Sequence, residues 1–380
     1  MKKLLLSIAI VLGGWRGLTY SSSLPATTQR YSTQLPKSFN INEVELSFID
    51  LPGYQKADIS GPVVPWNKLG TYDQSEIINI VYVSDEKYLP YTYTSLISIL
   101  DNSKPEERNE PIRFTIILDE VEFKGILDDD MTRLTNVLFF KFNRDIYKYD
   151  IEYIPIPDRE RERINQFETY WNLWPKNIFL KLFFSNFLSC DKCIYLDGDT
   201  ACVSDIRRLW NIDLGKHCFG GTEYFELANR YKEKIFNAGM LLFNLKRMRE
   251  VGFATEIEEI FKEGQKNPKM RYLEEFALKD YSKKHGHYPI NQEFNMGIED
   301  NIPKRYTNEN NDNLKISLIH FCSYFKPQKF IQKYEAAGCP NYKNLQHTFW
   351  KLYKYSSWAF VQCYKYYKHY EEINDLAKLE

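Results

Sequence analysis

The sequence has no excess of either charge, since 50 lysines and arginines face 51 aspartates and glutamates and the formal net charge is -1. A nucleic-acid-binding protein typically presents a basic face to the phosphate backbone, so the composition predicts no nucleic-acid partner. The chain also has no internal repeat, and beyond its start it has no apolar run of the roughly 20 residues that a membrane-spanning helix needs. A globular protein remains, for which 380 residues, 43% of them hydrophobic, supply a substantial core.

The cysteine pattern also excludes a protein that is built on a disulfide framework. The chain has 7 cysteines, an odd number without a disulfide framework. Cys190 and Cys193 form a C-x-x-C pair, but no second pair or histidine cluster accompanies them, as a zinc site would require. We therefore interpret this pair as the end of a helix and the start of a strand.

The start of the chain predicts a signal peptide over residues 1–23. Two lysines precede an apolar stretch at 4–15, and Arg16 ends that stretch too early for a spanning helix. A signal anchor and a chance apolar start are the alternatives. The prediction places the protein in the secretory pathway or in an exported state, without distinguishing a Golgi-like lumen, the periplasm or a host cell.

Apolar β runs alternate with helical patterns along much of the chain, and this alternation predicts an α/β fold with a mainly parallel central sheet and flanking helices. Helical patterns are expected after Ser84-Asp85 through Leu100, and from 179 to 188. The predicted strands lie at 79–83, 112–118, 137–142, 193–196, 218–221, 240–243 and 318–321.

Three other segments lack this alternation. We expect 24–75 to be an irregular extension, and 144–177, which is polar and rich in Tyr and Trp, to be a long insertion over the site. The main domain is then 76–335. A helical tail at 336–380 follows, and its aromatic and lysine residues over 342–370 are compatible with peripheral membrane contact or with plain packing.

The most informative motif is Asp197-Gly198-Asp199, which follows the apolar run 194–196. Strand side chains alternate between faces, so the two aspartates can project to one side and hold a hard divalent cation. Gly198, which has no Cβ, would let a bulky anion approach. Ordinary turn chemistry is the alternative, because aspartate often hydrogen-bonds its own backbone. In parallel sheets ligands bind beyond the carboxyl ends of the strands, where these aspartates are expected.

Four motifs occur in a fixed order: the strand at 80–83, the segment 194–199, the Asn-Ala-Gly segment within 236–245, and His320 followed by Lys326-Pro327. With these motifs the chain resembles glycosyltransferase family 8, over roughly residues 77–330. Its members are retaining sugar transferases, and the likeness is greatest to bacterial lipopolysaccharide galactosyltransferases and glucosyltransferases. The resemblance implies the GT-A nucleotide-diphospho-sugar transferase fold.

The resemblance also implies a metal site. In that family the residues that match Asp197, Asp199 and His320 hold Mn²⁺ between the diphosphate oxygens of a UDP-sugar. Carboxylates with one imidazole suit Mn²⁺, and the metal neutralises charge on the departing UDP. Lys326 would add a phosphate contact, while Ser323 replaces a usual glycine beside the diphosphate.

Further binding residues are implied for the nucleoside and the sugar. An aromatic ring at Tyr88 would stack on the base, whereas Asp85 could also simply cap the next helix. The full set is Val83, Asp85 and Tyr88 for uridine, and Asn237, Ala238 and Gly239 for the sugar.

Two departures from the family pattern concern the donor sugar. Lys181 stands where the family usually has arginine, so the charge is kept but the two-pronged geometry is lost. Glu274 and Glu275 align best with the Asp-Gln pair that touches the donor sugar, although 291–295 is a rival by composition. If Glu275 occupies the glutamine position, a carboxylate near the anomeric carbon could act as nucleophile or stabilise an oxocarbenium ion.

The expected function is Mn²⁺-dependent transfer of galactose or glucose from UDP to a carbohydrate, lipid-linked or protein acceptor. A haloacid-dehalogenase-like phosphatase is one alternative, because residues 196–200 also fit that family's nucleophile motif, but the later acidic pair is missing. A secreted sugar-binding protein or effector that has lost turnover is another.

Overall fold

A computed structural model describes residues 66–85, 88–107, 110–118, 142–167, 175–223, 236–266, 273–297 and 317–321. The predicted signal peptide, most of the predicted extension and the predicted tail lie outside these ranges. So do Ser323, Lys326 and all but the last residue of the strand predicted at 137–142.

The described strands form two sheets. In chain order, the strands are β1 (Ile78–Ser84), β2 (Ile112–Leu118), β3 (Tyr149–Pro155), β4 (Lys192–Leu196), β5 (Thr200–Cys202), β6 (Phe219–Glu223), β7 (Phe236–Asn244), β8 (Tyr288–Pro289), β9 (Met296–Gly297) and β10 (Leu318–His320). The central sheet has seven strands in the order β3-β2-β1-β4-β7-β6-β8, and the second sheet has three in the order β5-β10-β9. Strands β3, β2, β1 and β4 run parallel, and β7 is antiparallel to both β4 and β6. The predicted α/β fold with a mainly parallel sheet is confirmed.

The central strands form because their side chains are apolar on both faces, as a sheet covered on both sides requires. In β1, alternate residues enter two different cores: Ile80 and Tyr82 pack in one and Val81 in the other. The first core lies under the helix Leu89–Asp101, and the second under helices that include Phe253–Gln265. The period of two in β1 therefore places the sheet between two layers of helix.

The helices follow amphipathic patterns. In chain order, the α-helices are Leu89–Asp101, Arg144–Tyr147, Asp158–Asn165, Arg207–Trp210, Leu245–Val251, Phe253–Gln265 and Glu274–His285, and the 3-10 helices are Leu69–Thr71, Lys176–Asn186 and Gln292–Phe294. Phe253, Ile257 and Phe261 recur at helical spacing and are buried. The helix predicted at 179–188 is the 3-10 helix Lys176–Asn186. Within the described ranges, no helix has both the length and the apolar character needed to cross a membrane.

The insertion predicted at 144–177 is wrong over its described part. Its residues Tyr149–Pro155 are β3, the edge strand of the central sheet, paired with β2 along its whole length. The sequence pattern did not reveal this strand, because it contains the acidic residues Asp150 and Glu152. Glu152 is exposed, but Asp150 is buried, and its carboxylate accepts hydrogen bonds from the backbone of Trp66 (3.0 Å) and from Arg144 (3.3 Å).

Residues 66–75, which fall within the predicted extension, dock on the main domain. Trp66 and Leu69 are buried and pack with Ile77. The hydrogen bond from Trp66 to Asp150 fixes this segment to the sheet edge at β3.

Candidate active site

The directions of the strands bring the predicted site residues to one end of the central sheet, the edge formed by the carboxyl ends of β1 and β4. Strands β1 and β4 are parallel neighbours, so Asp85 and Asp197, which follow them, lie at the same edge. Because β7 runs antiparallel to β4, its start, with Asn237, lies at that edge as well. The backbone N–H of Asp197 donates to the carbonyl of Gly239 at 2.7 Å and joins the two segments.

Asp197, Asp199 and His320 form the centre of the site. One ligand atom from each lies within 4.8 Å of the others. His320 arrives on β10, which pairs with β5 directly after the aspartates, and its Nε2 lies 3.3 Å from Asp199 Oδ1 and 3.7 Å from Asp197 Oδ2. Two carboxylates and one imidazole are a donor set that fits Mn²⁺.

Two glycines allow this close packing. A Cβ on Gly239 would lie 2.0 Å from Cε1 of His320, so only glycine leaves room for the imidazole ring. A Cβ on Gly198 would lie 2.5 Å from Oγ1 of Thr92. On the side where a Cβ would project, the space beside Gly198 is therefore occupied by Thr92.

Lys181 is the cation of the site. It is 2% exposed and comes from the 3-10 helix Lys176–Asn186. Its Nζ lies 3.3 Å from Glu274 Oε1 and 3.6 Å from Asp197 Oδ1, and it donates to the carbonyl of Ala238 at 3.2 Å. Burial alone would lower the pKa of Lys181, but the charges of Asp197 and Glu274 outweigh burial and raise it above its ordinary value. The ammonium group is therefore charged.

Tyr195 is a site residue that the sequence motifs did not identify. Its hydroxyl donates a hydrogen bond to Oδ1 of Asp197, and the centroid of its ring lies 4.5 Å from Nζ of Lys181. Burial, followed by the charge of Asp197, raises the pKa of Tyr195 well above its ordinary value, so the hydroxyl stays protonated. The sequence signal for Tyr195 is its position on β4 two residues before Asp197, because side chains two residues apart project from the same face of a strand.

Glu274 and Glu275 begin the helix Glu274–His285 beside Lys181. Glu274 is buried, and its Oε2 has no hydrogen-bond partner among the described residues. Burial, together with the charge of Glu274, raises the pKa of Glu275 to about 8, despite the opposing effects of Lys181 and of a hydrogen bond to the Ala238 backbone. The carboxyl group of Glu275 is therefore largely protonated at neutral pH.

The other predicted residues hold the backbone of the site. Asp85 accepts a hydrogen bond from the backbone N–H of Tyr88 at 2.9 Å, in the turn that precedes the helix Leu89–Asp101. The Tyr88 ring is half-buried and packs edge-to-face against Tyr91. Val83 is the residue before the last one of β1. The side-chain oxygen of Asn237 accepts from the N–H of Gly239 at 2.9 Å and thereby shapes the start of β7.

Comparisons with known proteins agree with this architecture. Residues 79–331 match the family model for glycosyl transferase family 8. A Haemophilus influenzae protein named as a glycosyltransferase is 26% identical over 275 residues, which are 68% of this chain and 74% of that protein. Lipopolysaccharide 1,2-glucosyltransferase of Escherichia coli is 23% identical over 79% of this chain and 84% of that enzyme.

A solved structure gives the same result for the fold. The galactosyltransferase LgtC, crystallised with donor and acceptor sugar analogues, superposes with a TM-score of 0.51 at 22% identity, over 71% of this chain and 94% of that chain. The predicted GT-A fold is confirmed.

Proposed function

Since the chain belongs to glycosyl transferase family 8 and is a transferase enzyme, we propose that it moves a hexose, galactose or glucose, from a UDP-sugar. The acceptor would be a carbohydrate, a lipid-linked glycan or a protein, and the anomeric configuration would be retained. One observation carries the proposal: Asp197, Asp199 and His320 meet at the sheet edge where α/β proteins bind their ligands.

Asp197, Asp199 and His320 would hold the Mn²⁺ ion. When bound, the metal would supply positive charge to stabilise the diphosphate leaving group. Around it, Tyr195 and Lys181 hold Oδ1 of Asp197, so that Oδ2 faces His320. Lys326 and Ser323, outside the described residues, remain proposed contacts of the diphosphate.

The donor sugar would bind beside Lys181. The Oε2 atom of Glu274 can accept a hydrogen bond from a sugar hydroxyl, since among the described residues it has no partner. Glu275 in its protonated form can donate one, much as the glutamine of related enzymes would. A protonated carboxyl group is a poor nucleophile, so this state favours a binding role over the covalent role considered from the sequence.

The nucleoside would bind at the end of β1, with Val83, Asp85 and Tyr88 at the uracil ring. The backbone at Asn237, Ala238 and Gly239 would line the sugar side. Part of that backbone is already engaged, because the carbonyl of Ala238 accepts from Lys181.

Neither alternative function is favoured by the family match. A phosphatase would need Asp197 as nucleophile, but Oδ1 of this residue is engaged by Tyr195 and Lys181. The expected signal peptide supports a location in the secretory pathway or outside the producing cell, where a supply of UDP-sugar is required.

The direct test is UDP release from the purified full chain, given a panel of UDP-sugars with Mn²⁺ and a range of glycan acceptors. We expect turnover with UDP-galactose or UDP-glucose, and a loss of at least about 100-fold in Asp199→Asn, because the buried metal ligand is weakened. The matched control is Asp191→Asn, an exposed carboxylate just before β4. Phosphate release from simple phosphoesters without UDP release would contradict the proposal.

A further inference from the structure

Asn295 is a buried side chain that the proposed function does not use. It is 5% exposed and lies between the 3-10 helix Gln292–Phe294 and β9. Strand β9 pairs in parallel with β10, where Gly297 is opposite His320. This pairing brings the amide of Asn295 against the imidazole: its Oδ1 lies 3.1 Å from Nδ1 of His320.

The other end of the amide defines its orientation. Its Nδ2 lies 3.3 Å from the backbone carbonyl of Asn237. A carbonyl oxygen can only accept, so the NH₂ group must face Asn237 and the amide oxygen must face His320. The reverse orientation would place two acceptors against each other.

This orientation determines which ring nitrogen of His320 carries the proton. An amide oxygen accepts, so Nδ1 of His320 must be the donor. In the neutral ring, Nε2 then has no proton and keeps its lone pair. Nε2 is the atom that faces Asp199 at 3.3 Å and Asp197 at 3.7 Å.

The carbonyl that orients Asn295 is itself held in place. Asn237 is 9% exposed, and its side chain accepts from the backbone of Gly239, the residue whose missing Cβ makes room for the imidazole. The start of β7 thus contacts the ring of His320 directly at Gly239. Through Asn295 it also orients the Nδ1 side of the same ring.

We propose that Asn295 is a positioning residue, which accepts the Nδ1–H of His320 and thereby aims Nε2 at the two aspartates. The inference rests on the proposed metal site. It adds a residue outside the four motifs, one that sets metal affinity without touching the metal.

The first test needs no metal. In ¹⁵N-histidine spectra of the metal-free full chain, His320, identified by its loss in His320→Gln, should show a protonated Nδ1, because the amide oxygen of Asn295 accepts from this atom. Asn295→Leu should lose the proton on Nδ1 or keep it in only part of the molecules. The matched control is Asn291→Leu, which removes an exposed amide from the same turn.

The second test is the affinity for Mn²⁺ alone, measured by titration with electron paramagnetic resonance. Asn295→Leu should bind Mn²⁺ about 10- to 100-fold more weakly than wild type, the usual effect of losing such a partner of a histidine ligand. Asn291→Leu should stay within about threefold.

The two tests separate the inference from the proposed function. If wild type binds no Mn²⁺, the proposed metal site is wrong, while the protonation of Nδ1 still decides the role of Asn295. The inference is overturned if Nδ1 of His320 carries no proton in wild type, or if Asn295→Leu changes neither the protonation of Nδ1 nor the Mn²⁺ affinity. Should Asn295→Leu fail to fold, the state of Nδ1 in wild type decides alone.

Discussion

At the scale of residues, the site is a cluster of charges whose members depend on one another. Lys181 is buried and lies between Glu274 and Asp197, and each carboxylate stabilises the ammonium group. Removing one member of a buried ion pair leaves an uncompensated charge, which typically costs about 3–5 kcal/mol. The ammonium group of Lys181 also donates to the carbonyl of Ala238.

Glu275 gives this cluster a pH dependence that can be measured on the fold itself. Its pKa is about 8 in the folded protein against an ordinary 4.5, so between these values the folded chain holds a proton that the unfolded chain lacks. The contribution of Glu275 to the stability of the wild type should therefore fall as the pH rises from about 5 to 8, and change little above that.

Glutamine at this position has no proton to lose. The stability advantage of Glu275→Gln over wild type should thus grow across this range, by at most about 1.4 kcal/mol per pH unit. Thermal unfolding with a chelator present, at pH 5, 6, 7 and 8, measures it. Glu152→Gln, at an exposed position on β3, is the control. A difference that stays constant with pH would contradict the raised pKa of Glu275.

Some of the site was accessible from the sequence. Asp197, Asp199 and His320 carried recognisable spacings, and the structure brings them together as expected. Tyr195 and Asn295 were missed because their importance depends on contacts between distant segments, such as the pairing of β9 with β10. The protonation of Glu275 also depends on burial, which no local pattern reveals.

At the scale of elements, the edge strand β3 shows where sequence patterns fail. The polar character of 144–177 suggested an insertion over the site, but Asp150 in this strand is buried and hydrogen-bonds partners from outside it. The apolar strands β1 and β2 were predicted almost to the residue, because strands buried on both faces are continuously hydrophobic. An edge strand has one side without a neighbouring strand, so its composition is mixed.

Asp150 should hold the segment around Trp66 on this edge. Asp150→Ala removes the acceptor for the Trp66 backbone and a partner of Arg144, so we expect a loss of about 1–3 kcal/mol in stability. Hydrogen exchange at residues 66–72 should rise more than exchange in the central strands β1 and β4. Glu152→Ala on the same strand should change neither. Unaltered exchange at 66–72 in Asp150→Ala would contradict this role of the carboxylate.

At the scale of the whole molecule, the described residues form a GT-A transferase fold with one site at the ends of its strands. Membership of glycosyl transferase family 8 explains why four short motifs sufficed to predict this architecture. The acceptor substrate could not be predicted, because no sequence motif identifies it and the tail lies outside the described residues.

The tail at 342–370 is proposed to bind anionic membranes. Each lysine near an anionic surface contributes about 1 kcal/mol, so neutralising its lysines in the full chain should weaken binding to phosphatidylserine vesicles at least about 10-fold. The positions to be changed to glutamine are Lys343, Lys351, Lys354, Lys365 and Lys368. The control changes exposed lysines of the main domain, Lys104, Lys262 and Lys266. Equal vesicle binding by the tail variant and wild type would remove the membrane role.

The central claim is that Asp197, Asp199 and His320 form a metal site for a nucleotide diphosphate. Calorimetric titration of UDP into the full chain, with and without Mn²⁺, tests it most directly. The account predicts that Mn²⁺ tightens UDP binding at least about 10-fold, or about 1.4 kcal/mol, in wild type and in Asp191→Asn but not in Asp199→Asn. UDP affinity that is the same with and without Mn²⁺ in wild type would contradict it.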